Sequence, residues 1–286
     1  MAKFLWTQRS DFGPAPRAEH AMAFDSQRGR TVLFGGVGMG EAPLGDTWEW
    51  DGSFWTQMDD SGPGPRADHA MVYDSARQVS ILFGGRDTGQ TLFGDTWQWD
   101  GQDWTQLANS GPSPRSGHGM AFDSGRNRTV LFGGFRTDQP PPIADTWEFD
   151  GQDWTQQADT GPPAAGPMAF DSIGARVLLF DGQSVTTWSW NGASWVQIAA
   201  FGPPTRTGAA MTAAAGSIVL FGGRTFVAKF GDSWSFDGIH WTQVQDIGPS
   251  PRGAHALTFD STRGAVVLFG GQDANAVLGD TWEHNT

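Results

Sequence analysis

Short runs with alternating apolar and polar positions fill the chain. HAMAFD (20–25) alternates small and large side chains, and TVLFGG (31–36) is an apolar run ending in two glycines. DTWEWD (46–51) alternates around its tryptophans, and FWTQ (54–57) is short and half polar. A two-residue period is that of a strand with one buried face. Asp-Ser and Asp-Gly clusters separate the first run from the second and the third from the fourth, as tight hairpins require. No window carries a sustained 3.6-residue apolar period. The pattern predicts an all-β chain of four-stranded antiparallel meanders, with strands A to D in each.

The meander repeats. GDTWEWDGSFWTQ (45–57) recurs as GDTWQWDGQDWTQ (94–106), ADTWEFDGQDWTQ (144–156) and GDSWSFDGIHWTQ (231–243). A worn copy, TTWSWNGASWVQ, covers 186–197, and GDTWEHNT at 279–286 meets the C-terminus. The leading tryptophans, at 48, 97, 147, 188, 234 and 282, give a period of 41 to 50 residues. A second module, PRAEHAMAFDSQRGRTVLFGG (16–36), alternates with the first. Four strands at this period predict a β-propeller, whose blades bury both faces against one another. A second Trp follows the first by seven residues in every complete copy, whereas Trp282 has no such partner. FLWTQ at the N-terminus, with Trp6, supplies the missing strand. The expectation is a six-bladed β-propeller, residues 1–286 as one domain, closed by the N-terminal strand in the last blade. Closure removes the exposed edge of an open array.

The Gly-Gly after an apolar strand, the Asp-Thr-Trp, the second Trp seven residues on and the Pro-Arg before strand A together resemble the kelch family. The resemblance runs over essentially the whole chain and implies the propeller fold. It is less specific for function, because kelch propellers include protein-binding modules, a sugar mutarotase, iron-dependent specifier proteins and a copper radical oxidase. The oxidase needs a Cys-Tyr crosslink, and this chain has no Cys and one tyrosine, Tyr73. The specifier pattern Glu-x-x-x-Asp-x-x-x-His is absent, as are a P-loop, HExxH and a Ser-His-Asp order. No cofactor and no metal are expected.

Composition narrows the partners. The formal net charge of −13 disfavours a nucleic-acid backbone. No run of about 18 apolar residues suggests a membrane span, and MAKFLWTQRS lacks an apolar signal core. A monomeric, cytoplasmic protein is expected. The 15 tryptophans all fall at repeating positions. That distribution fits packing between blades better than a local sugar platform.

Chain direction alternates along a meander. The D–A and B–C connections therefore share one face, and the A–B and C–D hairpins share the other. Repeated turn aspartates, such as Asp25, Asp74 and Asp51, predict a uniform hairpin face. Variable B–C loops make the opposite, loop face the candidate for function. In blade 4 the D–A link TGPPAAGPMAF is two residues shorter and lacks Pro-Arg and His. Its B–C link is only GQSVTT, so a notch is expected there. Arg17, Arg66, Arg115, Arg206 and Arg252 form a repeating set, with His20, His69, His118 and His255 three residues after four of them. The sequence favours structural roles for both sets.

In protein-binding kelch domains the residue after Gly-Gly and the one two places after the strand A Arg often face the ligand. The resemblance carries these roles to Val37, Arg86, Phe135, Gln183, Arg224 and Gln272, and to Glu19, Asp68, Gly117, Gly208 and Ala254. The expected ligand-binding set is Arg86, Arg224, Gln183, Gln272, Phe135, Glu19 and Asp68. The favoured function is a binding module holding a peptide, a protein or a small anion. The alternative is a cofactor-free isomerase, cyclase or hydrolase. In it Glu19, Asp68 or a histidine of the set would move protons while arginine holds an anion.

Overall fold

The computed structural model describes residues 6–10, 12–40, 42–58, 61–108, 110–136, 143–245 and 247–285. Phe4 and Leu5 of the closing segment, Glu41 of the first B–C loop and 137–142 of the third lie outside the described residues.

Six four-stranded antiparallel sheets follow one another along the chain. In blade 1 the strands are Ala21–Asp25, Arg30–Phe34, Thr47–Trp50 and Trp55–Gln57. Their register aligns Met22, Leu33, Trp48 and Gln57 in one row and Phe24, Thr31, Trp50 and Trp55 in the next. The double glycine follows from crowding. Gly36 sits at φ 94°, and a Cβ there would come within 2.6 Å of the Ala18 carbonyl. The last blade joins Ala256–Asp260, Ala265–Phe269 and Thr281–Asn285 to the N-terminal strand Trp6–Ser10, with Trp6 opposite His284. The ring is therefore a closed, six-bladed propeller.

The cores lie between blades. Ala23, Val32 and Phe34 of blade 1 pack on Met71, Leu82 and Trp99 of blade 2. The other face of blade 1 offers Met22, Leu33 and Trp50 to Val267 and Phe269 of blade 6. Each strand D tryptophan spans such a boundary. Trp55, Trp104, Trp154, Trp195 and Trp241 donate Nε1–H at 2.8 Å to Thr281, Thr47, Thr96, Thr146 and Thr187 of the preceding blade. Trp6 does the same to Ser233 at 3.0 Å and so completes the circle. These rings are wedges with a satisfied polar handle.

The innermost strands leave a channel cavity of about 310 Å³, lined by Met22, Met71, Met120, Met168, Met211 and Leu257 among others. One correction concerns the hairpin face. It is not uniform: blade 5 turns from strand A to strand B through Ala214, Ala215, Gly216 and Ser217, with no aspartate. Elsewhere Asp25 Oδ1 accepts the Gln27 and Arg28 amides and props the turn outward. Without that prop a depression of about 280 Å³ opens between Phe170, Ala214, Ile218 and Phe259.

Candidate functional site

The arginines that open strand A are fully buried and spent on structure. Arg66 grips Asp95 with both Nη atoms, at 2.7 and 3.0 Å, donates to the Gly84 carbonyl and lies 4.1 Å from the Phe93 ring centroid. Asp95 also accepts from Trp97 Nε1 at 2.7 Å. Burial alone would raise the Asp95 carboxyl. The Arg66 hydrogen bonds and charge outweigh it, so the group sits below the usual carboxylate range. Arg17, Arg115, Arg206 and Arg252 hold Asp46, Asp145, Asp232 and Asp280 in the same way. Blade 4 lacks both partners, and Trp188 turns to the Thr186 hydroxyl.

His20, His69, His118 and His255 are also buried. Each ring stands edge-on to a strand B phenylalanine of the preceding blade, with centroids 5.3 to 5.5 Å apart. None of their ring nitrogens makes a hydrogen bond of ordinary geometry. Burial, followed by the charge of the neighbouring arginine, pulls His69, His118 and His255 down to about 3 and His20 well below its ordinary value. These histidines are neutral packing groups in the blade interfaces.

The loop-face mouth of the channel gathers a different set. After Gly-Gly, residues 37, 86, 135, 224 and 272 bridge to residues 18, 67, 116, 207 and 253. The next residue turns inward with positive φ: Glu19 at 59°, Asp68 at 53°, Gly117 and Gly208 at 63°, and Ala254 at 58°. Their main chains form a ladder around the axis. Ala254 N–H donates to Gly208, Glu19 to Ala254, Asp68 to Glu19 and Gly117 to Asp68, at 2.8 to 3.0 Å. The left-handed backbone is unfavourable for Glu19, Asp68 and Ala254, so it is held by this ladder and not by local preference.

Three charged groups of the expected set meet here. Arg86 donates from Nε to Asp68 at 2.8 Å and from Nη2 to Glu19 at 2.6 Å. Burial raises the Glu19 carboxyl and Asp68 adds to it, while Arg86 and Arg224 oppose them; the balance remains a raised value. Arg224 is half-buried, and its guanidinium has no hydrogen bond or ion pair among the described residues. It lies over Gly208 and Gly253, near enough to lower Lys229 as well, after burial. Lys229 donates to the Asp273 carbonyl. Gln272 is half-buried, whereas Gln183 and Phe135 are exposed. Phe135 leans on Gly117: a Cβ there would meet its ring at 3.2 Å.

The ladder stops at blade 4. Among the described residues the Gly117 carbonyl has no donor and the Gly208 N–H has no acceptor. The short link through Ala164 and Ala165 supplies no inward residue with positive φ. Val185, at φ 61°, marks the tight B–C turn of the same blade. Sequence reasoning singled out the shortened links and the positions two places after the strand A arginine. It missed the ladder that joins them, and the glycines at two of the five inward positions, 117 and 208, are its only trace in the sequence.

Among the described residues no three His, Asp or Glu side chains group as a metal site, and no helix is long and apolar enough to cross a membrane. Residues 2–161 match the KLHDC2/KLHL20/DRC7 Kelch-repeats domain, so the chain belongs to the kelch-repeat family. No curated protein matches the chain. Kelch propellers are in general protein-binding modules, and that coarse role comes with the family.

Proposed function

We propose that this kelch propeller binds a protein or peptide partner at the loop-face mouth of its channel, and that Arg224 receives an anionic group of that partner. One observation carries the reading. Arg17, Arg66, Arg115, Arg206, Arg252 and Arg86 hold carboxylates of the chain itself, whereas Arg224, on the same face, holds none. A half-buried guanidinium with no carboxylate hydrogen-bonded to it is a ready bidentate site for a carboxylate or phosphate. Lys229 beside it adds positive potential, and Phe226 and Val227 of the same loop are fully exposed apolar contacts. Arg86 is the weaker candidate of the two, because Glu19 and Asp68 already occupy it. Affinity capture from a lysate of the source organism tests the reading. Partners retained by the unaltered chain and lost by Arg224→Ala support it. Partners retained equally by both exclude Arg224.

Glu19 favours a second reading, a cofactor-free acid–base enzyme. Its carboxyl is raised by burial and by Asp68, and Arg86 fixes its orientation. An activity that titrates with one carboxyl and vanishes in Glu19→Gln supports this reading. An activity unchanged in that variant removes it.

A further inference from the structure

The interrupted ladder says what kind of group fits the opening. Glu19, Asp68 and Ala254 each donate their N–H to the inward residue of the preceding blade and accept at their carbonyl from that of the next. Asp68 is the pattern: its N–H reaches the Glu19 carbonyl at 3.0 Å, and its own carbonyl takes the Gly117 N–H at 2.9 Å. Blade 4 leaves this sixth position open. The groups on either side are an acceptor, the Gly117 carbonyl, and a donor, the Gly208 N–H, and both glycines are exposed. A third group, the Gly134 N–H, is buried without a partner where Gly36 and Gly85 donate to the Arg66 and Arg115 carbonyls. Ala165 stands where that carbonyl would be: its Cβ is 2.9 Å from a Gly133 Cβ position, as the Arg66 carbonyl oxygen is 2.8 Å from the equivalent Gly35 position.

We infer that the occupant of the sixth position is main chain of the bound partner: one residue donating its N–H to the Gly117 carbonyl and accepting from the Gly208 N–H. This inference rests on the loop-face reading above and names its ligand chemistry. A carboxylate alone would satisfy Gly208 and Arg224 but would bring negative charge to the Gly117 carbonyl. A single peptide residue satisfies both sides, because it carries one donor and one acceptor. The five chain residues at this level have φ between 53° and 63°. The guest residue should adopt the same sign, which favours glycine or a D-residue over an L-residue. Phe135 stands against Gly117 at one end of the gap, and Arg224 lies over Gly208 and Gly253 at the other.

The test uses the full chain, immobilised, and a phage-displayed library of random nonapeptides. A selected peptide is remade with each amide N-methylated in turn, and with L-Ala and D-Ala at each position. One position should lose about tenfold or more in affinity on N-methylation. At that position D-Ala should bind at least as well as L-Ala, and the Gly208 amide resonance should move on binding. No selected peptide, or peptides indifferent to every N-methylation, would overturn the inference. If such peptides still depend on Arg224, only the main-chain inference fails. If their binding survives both Arg224→Ala and Phe135→Ala, the loop-face reading fails as well.

Discussion

Trp99 Nε1 donates to Glu49 Oε1 at 3.0 Å across the boundary between blades 2 and 1. The same bond joins Trp50 to Glu283 and Trp190 to Glu148. Strand C carries its inner Trp only in blades that follow a Glu. Where the preceding blade has Gln98, Ser189 or Ser235, the position is Phe149, Phe236 or His284. Glu49 is buried and also takes two bonds from Arg28, at 2.9 and 2.6 Å. Glu49→Ala should therefore cost about 3 kcal/mol by stranding Arg28 and Trp99. The pair Glu49→Gln with Trp99→Phe copies the blade 2–3 boundary. Denaturant unfolding should show it more stable than the sum of its single variants by about 1 kcal/mol.

Trp6 closes the ring with one side chain as well as one strand. Trp6→Phe keeps the wedge and loses the Ser233 bond, for about 1 kcal/mol. Trp6→Ala should cost about 3–5 kcal/mol. Thermal unfolding of the two variants separates the hydrogen bond from the packing.

The buried histidines make the ring sensitive to acid. Their folded values lie at about 3 for His69, His118 and His255, against 6.5 when free. The unfolded chain therefore binds more protons between these limits, and stability falls as pH drops below about 6.5. The arginine-held carboxyls of Asp46, Asp95, Asp232 and Asp280, also lowered, add to the loss at still lower pH. The melting temperature should decline steadily from pH 7 to pH 4. Replacing His69 by Phe should flatten that decline.

Much of this was legible in the chain. Asp-Thr-Trp, Gly-Gly and the second tryptophan recur, so their packing role shows in their distribution, and Trp6 fills a place that the pattern leaves open. The Arg–Asp pairs were half legible. Arg17 and Asp46 are far apart in sequence, but blade 4 loses both the arginine and the aspartate, where Thr186 stands. The state of Arg86 and Arg224 could not be read. Both follow Gly-Gly, yet Arg86 finds Asp68 in its own blade and Glu19 in the blade before it, while Arg224 has Gly208 in the first place and, in blade 4, no inward residue in the second. Their difference lies in neighbours brought close only by ring closure. The uniform hairpin face failed at blade 5 because a two-residue turn, Ala215-Gly216, replaces the longer aspartate turn.

The most direct measurement follows the arginine Nε resonances of the full chain as an acidic capped peptide, acetyl-Gly-Asp-Gly-amide, is added. Arg224, without a partner of its own, should shift and saturate, while Arg86, Arg17 and Arg66, bound to their carboxylates, stay still. The Arg224→Ala chain should melt at the same temperature as the unaltered one and show no saturable shift. An Arg224 signal that never moves, or equal drift at every arginine, would contradict the site.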